Sequence, residues 1–297
     1  MQWGVCCTAK APLAQLLAFV AWYRHLGAAQ IWLHLDDADA ISASVLNQLD
    51  GVEAVLCDDA YWADAGRRPD KQEPRQVYNM QRAYRTTDLP VLAHVDIDEY
   101  LLPQRPISDI LDDWTGDAPF LRVRPAEALH DPTLKDDIFT ARQFRLPFPA
   151  GLAAERKWAV LGAYATLLPS NMLSHRAGKS LFRTGVAGLI PKIHAGSFGK
   201  DAPPLKLPTH PEIVVLHFHA QDRATWEAAL PHRVTKGAYR FNPPLAAHLD
   251  GATADEIAAF YEATQVATPE LIDALRGAGL LVEADLNLRE KVEALPF

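Results

Sequence analysis

Val91–Leu102, VLAHVDIDEYLL, is the stretch that decides how this chain folds. Val91, Leu92, Ala93 and Val95 make an almost unbroken apolar run just after Pro90. Such a run reads as a strand buried on both faces, as in parallel sheets. Three acids follow together: Asp96, Asp98 and Glu99. Open α/β sheets bind ligands in the crevice beyond the carboxyl ends of their strands. If the strand runs on, Asp96 and Asp98 point to the same side, because strand side chains alternate. Two carboxylates with nothing basic beside them suit Mg²⁺ or Mn²⁺, which take one or two carboxylates plus substrate phosphates. The competing reading is that these acids only end a strand and cap the next turn.

The flanking sequence supplies the rest of a sheet. Trp3–Thr8 reads as a first strand, and Pro12 suits the opening turn of a helix. Leu13, Leu16, Leu17, Val20 and Tyr23 repeat at helical spacing until Gly27 stops them. Gln30–Leu35 is a second strand, Ser42–Leu49 a helix and Val52–Leu56 a third strand. Strand alternating with helix predicts a parallel sheet with right-handed crossovers. Asp58–Pro74 has no period and carries Arg67, Arg68, Asp70 and Lys71, so it reads as a loop that orders over a ligand. Gln76–Arg85 resumes a helix, Ile107–Trp114 makes a short one, and Phe120–Val123 is another strand.

Between Arg124 and Pro211, prolines and glycines separate the strand candidates Ile138–Leu146, Lys179–Arg183 and Ile190–His194. This part reads as antiparallel, rich in loops and shaped for a second substrate. Ile213–His219, IVVLHFH, is a strand again, followed by a helix over Arg223–Leu230. Thr253 with Glu256 forms a capping box, and Thr268–Pro269 opens one more helix that ends near Gly277–Gly279. The fold class expected is α/β: a mostly parallel central sheet flanked by helices, Rossmann-like, with a loop-rich antiparallel part.

The 297 residues are enough for a sizeable core. The 49% apolar and 22% charged content is that of an ordinary globular protein. A net charge of −8, with no basic tract to offset it, argues against nucleic acid as a partner. Cys6, Cys7 and Cys57 make no disulfide framework, and Leu13–Tyr23 is too short to span a bilayer. A cytoplasmic protein is expected, with no transmembrane segment and with room for peripheral membrane contact.

Several side chains fit a phosphate-handling site. Asp36, Asp37 and Asp39 also end a strand. Asp36 is placed to accept from a nucleobase or ribose, and Asp39 to cap the next helix. His217 and His219 share a strand face, and His217 is read as a third metal ligand beside Asp96 and Asp98. Lys10, Lys179, Lys192 and His194 offer positive charge for a diphosphate leaving group. The absence of a P-loop and of G-x-G-x-x-G counts against kinases and nicotinamide dehydrogenases.

Taken in order, these segments resemble a bacterial glycosyltransferase of the family 2-like type. AFVAWYRHLG within Leu16–Gly27 is similar to the family's "eWiaYHrllG" helix, and IWLHLDDAD over Ile31–Asp39 to its strand and "dndStD". QVYNMQR over Gln76–Arg82 resembles its helix carrying Gln and Asn, and VDIDEYL over Val95–Leu101 its "iDiDEFl". His217–Phe218 resembles its late "HY". Ala11 stands where the family has an acid after the first strand.

The resemblance implies a GT-A-like domain over residues 1–250. Residues 1–105 would bind the nucleotide sugar, residues 106–250 the acceptor, and residues 251–297 would form a helical extension. It implies a hexosyltransferase-like enzyme using Mn²⁺ or Mg²⁺. The sugar would pass from a nucleotide diphosphate donor to a glycan, lipid or other hydroxyl acceptor, with inversion. Asn79 and Arg82 join the donor-binding set. No motif match places the catalytic base; Glu127, shortly after the Phe120–Val123 strand, is expected in that role, with Asp131, Asp136, Asp137 and Asp222 as alternatives. Two other functions compete: a metal-dependent phosphate or phosphodiester hydrolase, and a non-catalytic sugar-nucleotide binder.

Overall fold

The computed structural model describes residues 1–135, 138–199 and 201–297. The chain divides into two compact units: residues 1–124, 178–215 and 287–297 in the first, and residues 125–177 and 216–286 in the second.

In chain order the first unit opens with β1 (Gly4–Ala9), α1 (Leu13–His25), β2 (Gln30–Leu35), α2 (Ala40–Leu46) and β3 (Val52–Leu56). It continues through α3 (Asp59–Ala63), α4 (Gln72–Thr86), β4 (Val91–His94), β5 (Glu99–Pro103), α5 (Ile107–Asp112) and the start of β6 (Phe120–Ala128). The second unit then takes β7 (Gln143–Arg145) and α6 (Ala154–Leu161). The chain returns to the first through β8 (Lys179–Arg183), β9 (Leu189–Pro191), β10 (Gly196–Phe198) and most of β11 (Thr209–His217). α7 (Arg223–Thr235), α8 (Pro243–Gly251), α9 (Ala254–Gln265), α10 (Pro269–Gly277) and β12 (Leu281–Glu283) complete the second unit, and α11 (Leu288–Glu293) rejoins the first.

In the first unit β3, β2, β1 and β4 lie side by side and parallel. β8 pairs antiparallel with β4, and β6 antiparallel with β8. β9 and β10 form a separate antiparallel pair. Every residue of the two central strands β1 and β4 is buried, which is what helix-covered faces demand, whereas the outer β3 exposes Glu53.

α1 explains why its sequence is apolar nearly all round: Ala18–Tyr23 are buried without interruption. One side meets Tyr100 of β5 through the rings of Phe19, Trp22 and Tyr23. Another is covered by α11, with Lys291 Nζ 5.4 Å from the Trp22 ring. Gly27, at φ 81, takes the left-handed conformation that closes the helix.

The second unit holds an antiparallel ladder of β12, β7 and the end of β6. Its helices enclose Trp226, Phe260 and Tyr261. Thr253 and Glu256 form the expected capping box at α9.

The units do not follow the boundaries at residues 105 and 250 that the resemblance implied. Strand pairing is the reason: β8 hydrogen-bonds along β4 and so belongs with the parallel strands. The final segment is shared out, because α9 and α10 lie in the second unit and α11 packs on α1. Among the described residues no helix is long and apolar enough to cross a membrane.

Candidate donor site at the strand ends

β4 stops at His94, and Asp96–Asp98 form a turn rather than a continuing strand. The alternation that was to put Asp96 and Asp98 on one face therefore does not apply. The turn is closed twice. Glu99 N–H donates to the Asp96 carbonyl at 3.1 Å, and Asp96 N–H donates to Glu99 Oε2 at 2.8 Å. Tyr23 and Trp22 of α1 fasten the strand that leaves it. The Tyr23 hydroxyl donates to the Glu99 carbonyl at 2.9 Å and accepts from Leu101 N–H at 3.2 Å, and Trp22 Nε1 donates to the Leu101 carbonyl at 2.9 Å.

Register brings a cation to the turn. β8 runs antiparallel to β4 with Ser180 opposite His94, so Lys179 comes level with the residues just past the strand end. Its ammonium, fully buried, lies 2.7 Å from Asp96 Oδ2 and 3.0 Å from Glu99 Oε2. Burial alone would lower the Lys179 pKa, but Asp96 and Glu99 outweigh it and hold the amine well above its ordinary value. His94, buried one turn of chain earlier, goes the other way. Burial first, and Lys179 second, push it down to about 4, so it is neutral.

α4 gathers the neighbouring strand ends from one face. Arg75 Nε and Nη2 hold both oxygens of Asp36, at the end of β2, at 2.7–3.1 Å. Gln76 Nε2 donates to Asp96 Oδ1 at 2.7 Å, beyond β4. Asn79 Nδ2 donates to Thr8 Oγ1 of β1 at 2.9 Å, while its Oδ1 accepts from the Tyr61 hydroxyl at 2.7 Å. Positions 75, 76 and 79 fall on adjoining helical rows, so a single helix sets three consecutive strand ends. Arg75 was not singled out from sequence, and Gln76 entered only within the helix segment that resembles the family's, not as a site residue. The signal for Arg75 was position alone, at the start of a helix leading into the acidic stretch.

The remaining donor-side residues divide. Asn79 is wholly buried and its amide is committed to Thr8 and Tyr61, so contact with a nucleotide is replaced by a role in the core. Arg82 lies 3.3 Å from Asp64 and 5.0 Å from the Tyr61 ring centre, against α3 and the residue after it. Lys10 is exposed just past β1, beside Asp36, whose N–H donates to the Ala9 carbonyl. The ring of His194 lies 2.8 Å from the Gly178 carbonyl, and its own carbonyl accepts from Ser180 Oγ, so it flanks the base of Lys179. Asp39 caps α2 through Ile41 and Ser42, as its position suggested.

The other two expected residues belong to the second unit. Glu127 is buried and its carboxylate is saturated. Oε1 accepts from Ser174 N–H and Oγ, and Oε2 from Leu173 N–H and from Arg145 Nε and Nη2. Burial would raise its pKa, but Arg145, His217, Ser174 and Leu173 together hold it below the ordinary carboxylate value. A base must offer a lone pair to the proton it takes, and Glu127 has none to spare, so it acts as a structural anion. His217 Nδ1 lies 3.3 Å from Ser174 Oγ, with the His219 ring centre 5.2 Å from its own. His219 Nε2 lies 2.9 Å from Arg233 Nη1, a group that can only donate, so His219 is a neutral acceptor. Asp131 caps Thr133 and Asp222 caps α7. Asp136 and Asp137 lie outside the described residues.

The turn's donor set can be tested against a divalent cation. Lys179 pairs with Asp96 and Glu99, and Asp98 follows in the same turn. Asp96 and Asp98 are half-buried rather than sealed. Among the described residues no three His, Cys, Asp or Glu side chains are grouped to hold an ion. The set fits a hard ion that takes one or two carboxylates here and the rest of its shell from a bound diphosphate. It does not fit a cage made of protein alone.

No family model and no curated protein matches the sequence. Among solved structures, HddC from Yersinia pseudotuberculosis is similar over 43% of this chain and 60% of that one, at 11% identity and a TM-score of 0.31. A TarS structure from S. aureus is similar over 62% of this chain and 47% of that one, at 9% identity and a TM-score of 0.30. The chain spans less than two-thirds of either.

Proposed function

We propose that the first unit binds a nucleotide diphosphate sugar and that the protein transfers the sugar, with inversion, to an acceptor hydroxyl. The observation that carries this reading is the Asp96–Asp98 turn, held at a parallel strand end by Gln76 in front and by Lys179 behind. That is where an open α/β sheet takes a ligand. The segment VDIDEYL, which resembles the glycosyltransferase metal motif, forms this turn.

Asp98, with Asp96 beside it, would hold Mn²⁺ or Mg²⁺. Such an ion supplies Lewis-acid neutralisation of the leaving nucleotide diphosphate. The chain's own residues perform the positioning. Gln76 and Lys179 fix the Asp96 carboxylate, Glu99 fixes the Asp96 amide, and Arg75 fixes the neighbouring strand end at Asp36. Glu127, Asp131 and Asp222 are all committed to bonds within their own unit, so none of them is proposed as the base.

The test is incubation with Mn²⁺ and a panel of nucleotide sugars, following released nucleotide with and without acceptor. Acceptor-dependent release is expected. Asp98→Asn should abolish it and move the melting temperature little, since a half-exposed carboxylate contributes little packing. Release of inorganic phosphate from simple esters would favour the hydrolase instead, and binding without release the non-catalytic binder. A collapsed melting temperature in Asp98→Asn would make that residue structural.

A further inference from the structure

Asp36 carries two arginines where one suffices. Arg75 alone bonds both carboxylate oxygens, and its Nη1 ties down the carbonyls of Pro69 and Asp70. It is largely buried, with 12% of the side chain exposed. Arg68 reaches the same residue with one nitrogen, Nη2, which lies 2.8 Å from the Asp36 carbonyl and 3.1 Å from Oδ1. It remains 45% exposed. The two ion pairs are therefore unequal: one fixes the segment, and the other is nearly redundant for it.

β2 and β4 flank β1, so the strand ends at Asp36 and Asp96 stand two strand spacings apart, about 10 Å. Arg68 is thus a surplus guanidinium on a strand end two strand spacings from the acidic turn. An ion pair with so exposed a partner contributes little, and when Arg68 leaves, Asp36 stays satisfied by Arg75. The neighbouring Arg67 and Lys71 are basic as well.

We infer that Arg68 is an exchangeable clamp for the donor's diphosphate. It rests on Asp36 in the empty site and transfers its fork to phosphate oxygens when a nucleoside diphosphate binds. Arginine suits this because its planar donors match phosphate two at a time. The inference rests on the donor-binding reading above and adds to it the residue that senses the phosphates. It also changes the role of Asp36 from a nucleotide contact to a resting place for that arginine.

Calorimetry with nucleoside diphosphates, the matching monophosphates and inorganic pyrophosphate, each with Mg²⁺, tests it on the full chain and on Arg68→Ala and Arg68→Lys. The expected result for Arg68→Ala is a loss of diphosphate affinity of roughly 10- to 100-fold, the effect of one charge-assisted contact. Monophosphates should lose less, Arg68→Lys should recover part of the binding, and melting temperatures should stay together. Unchanged diphosphate binding in Arg68→Ala, with the native chain binding well, overturns the clamp alone. Equal loss for mono- and diphosphates, or a lowered melting temperature, makes Arg68 structural. If the native chain binds none of these probes, the donor-site reading itself fails.

Discussion

Replacing Lys179 by Met asks what the buried ammonium does for the acidic turn. Lys179 is fully buried, and its Nζ is a counter-charge to both Asp96 Oδ2 and Glu99 Oε2. Methionine fills a similar volume but leaves two carboxylates facing each other without it. Breaking a buried pair by removing one partner typically costs about 3–5 kcal/mol. At roughly 2–4 °C per kcal/mol for a chain of this size class, melting should fall by roughly 6–20 °C. The pH dependence sharpens the test. The amine's folded pKa is raised, so its contribution is complete below the unfolded value of about 10.4 and is lost only as pH rises through the folded value. At pH 7 all of it is in place in the native chain. In Lys179→Met, acid should restore stability, because protonating either carboxylate removes the repulsion. The assay is thermal denaturation followed by circular dichroism between pH 7.5 and pH 5, with Lys179→Met/Glu99→Gln as the compensating double variant. A shift under about 2 °C, or a variant that acid does not rescue, would refute this account of the turn.

The second unit should lose stability in acid through Glu127. Its folded pKa lies below the ordinary value, so its contribution is present above about pH 4.3 and disappears as pH falls through the folded value. Urea midpoints measured from pH 6 to pH 3 should fall, and Glu127→Gln should start lower and fall less. Trp22→Phe keeps the ring packing on Tyr100 but removes the Nε1 bond to Leu101. It should cost about 1–3 kcal/mol by leaving a buried carbonyl unpaired, read as a lower urea midpoint.

Much of the first unit was legible because local pattern and tertiary context agree there. β2, β3 and β8 fall where apolar β-rich runs predict them, and α1 begins after Pro12 and closes at Gly27. Asp39 and the Thr253–Glu256 box were readable because capping is a bond between near neighbours. What escaped was set by distant partners. Asp96 looked like a strand residue until the Glu99 side chain bonded its N–H and turned the backbone. Asn79 was expected at the site from the resemblance of its helix and Glu127 from its place after the Phe120–Val123 strand, yet both side chains are buried on partners distant in sequence, up to 71 residues away at Thr8 for Asn79. Ile138–Leu146 shrank to the three residues of β7, since only those meet β12. α3 was hidden inside a segment with no period, where Asp58 caps five residues too few to show one.

The packing of α11 on α1 has a consequence for how the polypeptide reaches this state. α1 ends at His25, whereas the helix that covers it begins at Leu288. During synthesis α1 emerges early, with Trp22 and its neighbours lacking that cover until some 260 further residues have been made, including the whole second unit. Contacts so distant in sequence slow folding, and domains otherwise tend to fold as they are made. The first unit therefore cannot mature before the second has been translated, and nascent chains halted inside residues 216–286 should present an uncovered α1 to chaperones.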